Sequence, residues 1–175
     1  MDTNSTVLFF IILGRFAVGA IDLLVERNWA MSAKPRILGL DVGDKRIGIA
    51  ISDPLGITAA GLETVKRVNT QTDVGAVVKI AERHGAVQIV IGLPLNMDGT
   101  AGEQAEKTKA FGRKLARATG LPIVYEDERL STISAIRTLT LQSVKTGHNK
   151  ELVDMQAAAI ILQKFLDRHE PPPSA

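Results

Sequence analysis

The stretch Gly39 to Asp53, GLDVGDKRIGIAISD, constrains the fold more than any other part of the chain. It alternates like a strand, turns at Gly43-Asp44 and alternates again, which predicts a hairpin. Arg36 to Asp41 reads as the first strand and Arg46 to Ser52 as the second. Asp41 ends the first apolar run, where a buried sheet ordinarily takes another valine. A carboxylate there is costly unless something compensates its charge.

The rest of the chain extends this hairpin into an α/β pattern. GLETVKR (61–67) suits a third strand. Asp73 to His84 has helical spacing at Val74, Val77, Val78 and Ala81, with Gly85 closing it. AVQIVIGLP (86–94) is a continuous apolar run, as in a strand covered on both faces. Glu103 to Thr119 reads as a helix closed by Gly120, and LPIVYED (121–127) as a fifth strand. Ser131 is placed to cap a helix reaching about Leu141. SVKTGHNK (143–150) reads as a basic loop and Leu152 to Asp167 as a last helix. The order β-β-β-α-β-α-β-α-α predicts a mixed five-stranded sheet: three antiparallel hairpin strands, two parallel strands, and helices on both faces.

The 175 residues are enough for one domain with its own core. There is no cysteine, which excludes disulfides, thiolate metal sites and a cysteine nucleophile, and suits a reducing cytoplasm. Aromatics are 4% of the chain, so a nucleic-acid site would rely little on base stacking. Net charge is only +2, but basic residues cluster at Lys45-Arg46, Lys66-Arg67, Arg113–Arg117 and Lys145–Lys150. Singly, each cluster reads as a solvated face. Near the start, the apolar run Val7 to Leu13 is too short to span a membrane, and Arg15 and Asp22 interrupt its continuation. With Asp2 the one early charge, no basic region precedes the run as in a secretory signal. MSAKPRILGLD (31–41) reads as a start leading directly into the first strand. The expected organisation is a 1–30 extension outside the native protein, a 31–169 domain and a mobile 170–175 tail. The intact mass of protein made from its native gene checks the Met31 start.

Motifs for a phosphate-binding P-loop, a dinucleotide fold or a serine nucleophile elbow do not occur. His84, His148 and His169 lack ligand-like spacing. The chemistry-bearing residues are acidic: Asp41, Asp127 and Glu128 at strand ends, and Asp154 near the start of the last helix. Each has an ordinary reading: Asp41 in a turn, Glu128 paired with Arg129, Asp154 favoured by the helix dipole. Yet Asp154 shares a helix face with Ala157, Ala158, Ile161 and Phe165, the stripe expected to be buried. The two alanines allow close approach to a strand, which would bring Asp154 to Asp41, with Glu128 at the same end of the sheet. Three converging carboxylates repel unless a cation joins them. An oxygen-only set suits Mg²⁺ or Mn²⁺, and two such ions can promote phosphodiester cleavage. Lys45, Arg46 and the 145–150 cluster would then flank the metals and hold the nucleic-acid backbone.

At these residues the sequence closely resembles the YqgF/RuvX family, described as pre-16S rRNA nucleases and Holliday-junction-resolvase-like proteins. The matching pieces are LDVGDKRIGIAISD (40–53), IVIGLPLNMDGT (89–100), DERLST (127–132) and VDMQAAAIIL (153–162), in the family's order and spacing. The resemblance implies a ribonuclease H-like fold, metal-dependent cleavage, and Asp41, Glu128 and Asp154 as catalytic metal ligands. In related resolvases the second acid ends the fourth strand; here Gly92-Leu93-Pro94 stands there, and the resemblance implies that the acid after the fifth strand serves instead. Asp127 competes with Glu128 for that role. Lys45, Arg46, Arg129 and Lys150 are the expected substrate contacts, with Arg129 alternatively a salt-bridge partner of Glu128. Gly92, Pro94 and Gly99 are expected to shape the adjoining loop, and Asp98 is a lesser candidate for contact.

The substrate implied first is the 5′ end of pre-16S rRNA. The second is a branched DNA junction, which calls for a symmetric dimer, whereas a monomer would favour RNA. A non-catalytic nucleic-acid-binding domain fits poorly, because carboxylates without metal would repel phosphate. An actin-like or sugar-kinase ATPase shares the Asp-x-Gly hairpin but closes two domains around its nucleotide, and this chain supplies one.

Overall fold

The structure, a computed structural model, describes residues 35–129 and 148–168. Five strands form one sheet: β1 (Arg36–Val42), β2 (Arg46–Ser52), β3 (Ala59–Lys66), β4 (Ala86–Leu93) and β5 (Ile123–Asp127). Their order across the sheet is β3-β2-β1-β4-β5. β1, β2 and β3 pair antiparallel, while β4 pairs parallel to β1 and β5 parallel to β4. This is the ribonuclease H-like sheet that the resemblance implies. Three helices belong to the described residues: α1 (Thr70–Arg83), α2 (Glu103–Thr119) and α3 (His148–Leu166). None of them is long and apolar enough to cross a membrane.

The alternation in β1 assigns the two faces of the sheet. Leu38, Leu40 and Val42 join Val74 and Val77 of α1 and Phe111 and Leu115 of α2 in one core. Ile37 joins Ala50, Val90 and the α3 residues Ala157, Ala158, Ile161, Leu162 and Phe165 in the other. Each fully buried aliphatic side chain stabilises by about 2 kcal/mol relative to exposure. By the same alternation Gly39 and Asp41 face α3.

Glycines let α3 lie close to the sheet. A Cβ on Gly39 would stand 2.6 Å from Leu162 Cβ and 2.9 Å from the Ala158 carbonyl oxygen. One on Gly48 would stand 2.0 Å from the Asp154 carbonyl oxygen, and one on Gly61 2.9 Å from Met155 Cβ. The helix therefore rests on bare backbone of β1, β2 and β3.

Several expected boundaries shift. β1 continues one residue past Asp41, and β3 begins two residues before Gly61. α1 starts at Thr70 because Asn69 caps it, its side chain accepting from Thr72 N. α2 matches its expected span, and Gly120 ends it with a left-handed φ of 69°. α3 begins at His148, so His148–Lys150 are helical rather than part of a loop. Lys, Glu and Leu favour helix even where the polar run hides apolar periodicity. The expected helix from Ser131 to about Leu141, the Ser131 and Thr132 caps, most of the basic loop, the 1–30 extension and the 170–175 tail lie outside the described residues.

Candidate active site

The expected site residues sit around the carboxyl ends of β1, β4 and β5, where ligands meet sheets of this kind. Asp41 is 7% exposed on β1 and pairs across the sheet with Gly48 of β2. The Asp154 backbone lies directly on Gly48, so α3 delivers Asp154 to the column beside Asp41. Asp154 is in the second turn of α3, where the helix dipole offers a carboxylate little. The first-turn acid is Glu151.

On the other side of Asp41, the Leu40–Ile91 pairing puts Gly92 in the neighbouring column of β4. Glu128 follows β5 and anchors its own N–H on the Leu93 carbonyl, at 3.2 Å. Its Oε1 lies 2.0 Å from where a Gly92 Cβ would stand, with Ile161 Cδ1 also at 2.5 Å. The carboxylate thus fills the space that a side chain at the end of β4 would take. Glu128 is 6% exposed, so two buried acids occupy adjacent columns about 4.8 Å apart.

Asp127 has a different setting. Arg129 grips it in a two-pronged ion pair, Nε at 2.9 Å and Nη2 at 2.7 Å from Oδ2, and the Arg129 N–H also donates to Oδ1. Those hydrogen bonds from the Arg129 side chain hold the Asp127 carboxyl below the usual aspartate range. Arg129 therefore pairs with Asp127, not with Glu128 as the alternative reading had it. Its guanidinium also lies against Gly99, whose φ of 88° favours glycine; a Cβ there would be 2.9 Å from Nη1. Asp98 builds the same loop, accepting from Thr100 N and Oγ1, which lowers its pKa.

Among the basic residues, Lys45 and Lys150 are exposed, and Arg46 is partly buried with Nε donating to Asp154 Oδ2. Among the described residues, no three His, Cys, Asp or Glu side chains converge closely enough to hold a metal ion. Asp41 and Glu128 are brought to neighbouring positions, while the Asp154 carboxylate is engaged by Arg46. The donor set fits a hard divalent cation in its chemistry, oxygen ligands alone.

Sequence reasoning missed a brace behind the hairpin. Asp73 is 1% exposed and accepts from Arg67 Nε and Val68 N. Arg67 Nη1 donates to the Gly43 carbonyl at 2.8 Å, and its guanidinium lies 5.7 Å from the Phe111 ring centre. Lys66-Arg67 is therefore not simply a solvated cluster; Arg67 fixes the Gly43–Arg46 turn that presents Lys45 and Arg46. The available signal was an Arg six residues before an Asp at a helix start. Glu126, also buried, pairs with Lys164 and Arg168 and ties β5 to α3.

Buried Asp41 and Glu128 thus stand near the carboxyl ends of the parallel strands β1, β4 and β5. The family model described as "RuvX: Holliday junction resolvase" matches residues 35–168. Three relatives carry the name "Putative pre-16S rRNA nuclease". The Myxococcus xanthus protein is 45% identical over 78% of this chain and 91% of its own length. The Gloeobacter violaceus protein is 53% identical over 75% and 83%, and the Moorella thermoacetica protein 47% identical over 76% and 95%. The chain belongs to the RuvX family of nucleases. Among solved structures, Thermus thermophilus RuvC in complex with Holliday junction substrate is similar at TM-score 0.48 and 14% identity, over 79% of this chain and 99% of that one. The fowlpox virus Holliday junction resolvase is similar at TM-score 0.46 and 14% identity, over 77% and 99%.

Proposed function

We propose that the chain is a divalent-metal-dependent nuclease that hydrolyses phosphodiester bonds in the 5′ region of pre-16S rRNA, in the cytoplasm. The observation that carries this is the Glu128 carboxylate filling the space over Gly92, one column from buried Asp41. It supports Glu128, rather than Asp127, as the acid that replaces the one missing from β4. Asp127 is already committed to Arg129.

Asp41, Glu128 and Asp154 would hold the ions, Mg²⁺ or Mn²⁺, two being the expected number. Bound there, the ions supply Lewis acidity for attack of water on the phosphodiester. The protein contributes the rest. β1 fixes Asp41, the β5 end fixes Glu128, and the glycine contacts of α3 fix the Asp154 backbone. Exposed Lys45 and Lys150 offer cations to the phosphate backbone, and Arg46 joins them when released. Arg129 holds the loop beside Gly99 against Asp127, where it borders the path of a substrate strand.

Branched DNA is the second reading, favoured by the description of the family model. Purified protein is incubated with precursor rRNA and with a four-way DNA junction, with and without Mn²⁺, with Asp154→Asn as control. Mn²⁺-dependent cleavage of the RNA, absent in the variant, is the expected result. Preferential cutting of the junction moves the assignment to DNA, and cleavage unaffected by Asp154→Asn removes the proposed site.

A further inference from the structure

We propose that Arg46 is an exchange residue: it holds Asp154 while the site is free of metal and passes to a nucleic-acid phosphate when a divalent ion takes Asp154. This rests on the metal-dependent nuclease reading above and deepens it. Three features of the structure lead to it.

First, the Asp154 backbone rests against β2 at Gly48, and its side chain turns to Arg46. The missing Cβ of Gly48 lets the Asp154 carbonyl sit against β2, so a change of partner for the carboxylate needs rotation of the side chain and no movement of the helix. Arg46 and Gly48 lie two residues apart on β2 and share a face, and Gly48 pairs with Asp41. The Asp154 carboxylate therefore sits on Arg46, two residues along β2 from the Gly48–Asp41 pair, and rotation of its side chain would redirect it toward Asp41.

Second, Arg46 is held differently from its neighbours. Arg67 is committed to Asp73, to the Gly43 carbonyl and to the face of Phe111. Arg129 grips Asp127 with two nitrogens. Arg46 meets Asp154 through Nε, and the pair is partly open to water, with the side chains 27% and 24% exposed. A pair of that exposure is worth about 1 kcal/mol or less, which a divalent ion outcompetes readily. Released, the guanidinium presents a planar fork of donors suited to phosphate.

Third, the exchange accounts for the absence, among the described residues, of three convergent acids around Asp41. The third ligand is stored on Arg46. Metal and nucleic acid then promote each other's binding, because each removes a competitor of the other, and the coupling is reciprocal.

The test is Mn²⁺ affinity, read from the electron paramagnetic resonance signal of free Mn²⁺, for wild type, Arg46→Gln and Asp154→Asn. Without nucleic acid, Arg46→Gln should bind Mn²⁺ about fivefold more tightly than wild type, the factor that a pair of this exposure represents. A short single-stranded RNA with non-hydrolysable linkages should tighten Mn²⁺ binding to wild type and do so less for Arg46→Gln. Equal Mn²⁺ affinity in wild type and Arg46→Gln, with loss in Asp154→Asn, overturns the exchange and leaves the metal site standing. Unchanged affinity in Asp154→Asn overturns both. If Arg46→Gln folds poorly, Arg46→Lys keeps the charge but lacks Nε. It should shift Mn²⁺ affinity in the same direction, and no shift overturns the proposal.

Discussion

Asp127 and Glu128 are adjacent in the chain and face different company. Asp127 turns to Arg129, and Glu128 lies over Gly92 beside Asp41. Substituting them should separate their roles. Glu128→Gln should lower Mn²⁺-dependent cleavage by about 100-fold or more, as expected for a group acting on the reacting centre. Asp127→Asn should keep most of the activity and lose a pH-dependent contribution to stability. Because Arg129 depresses the native pKa of Asp127, that contribution is fully present above the ordinary aspartate pKa and fades as pH falls through the lowered native value. Melting temperatures of wild type and Asp127→Asn should differ by a constant amount above about pH 5 and converge as pH falls through and below the ordinary aspartate range. The pair is partly exposed, so the gap corresponds to about 0.5 kcal/mol. A gap that widens in acid contradicts the assignment.

At the scale of elements, the contact between α3 and the sheet sets the site. Gly48→Ala puts a methyl 2.0 Å from the Asp154 carbonyl oxygen, a backbone atom that cannot swing aside. It should cost about 3 kcal/mol in urea unfolding and displace Asp154. Gly75→Ala in α1 meets nothing within 4 Å and should stabilise by about 0.5–1 kcal/mol, which calibrates the comparison. Strand alternation made this sheet legible in the sequence, and Ala157, Ala158, Ile161 and Phe165 of the expected stripe form the buried face of α3, while Asp154 at its end is only partly buried. Gly39 of β1 and Ala158 of α3 meet as two small residues at a close helix–strand contact should. The first turn of α3 was not legible, because a basic polar run has no apolar period to mark a helix. The Arg67–Asp73 brace was hidden for a related reason. Burial of a charged pair depends on what packs over it, here Phe111, which lies 38 residues beyond Asp73 in the sequence. The acids themselves could be picked out singly, but the partner of Asp154 depends on a side-chain torsion that no spacing encodes.

For the whole molecule, net charge says little and placement says more. The +2 balance predicts no strong general attraction to nucleic acid, so binding should depend on Lys45, Arg46 and Lys150 near the site. Lys45→Ala with Lys150→Ala should weaken RNA binding several-fold at about 50 mM salt and less at about 300 mM, where screening shortens the reach of charge. An equal loss at both salts would point to a shape contact instead. Cleavage at this site requires that the acids hold a divalent ion, and the melting temperature with and without Mn²⁺ reads that directly for wild type and Asp41→Asn. Wild type should gain several degrees with Mn²⁺ while Asp41→Asn gains little; the same rise in both proteins would contradict the proposed metal site.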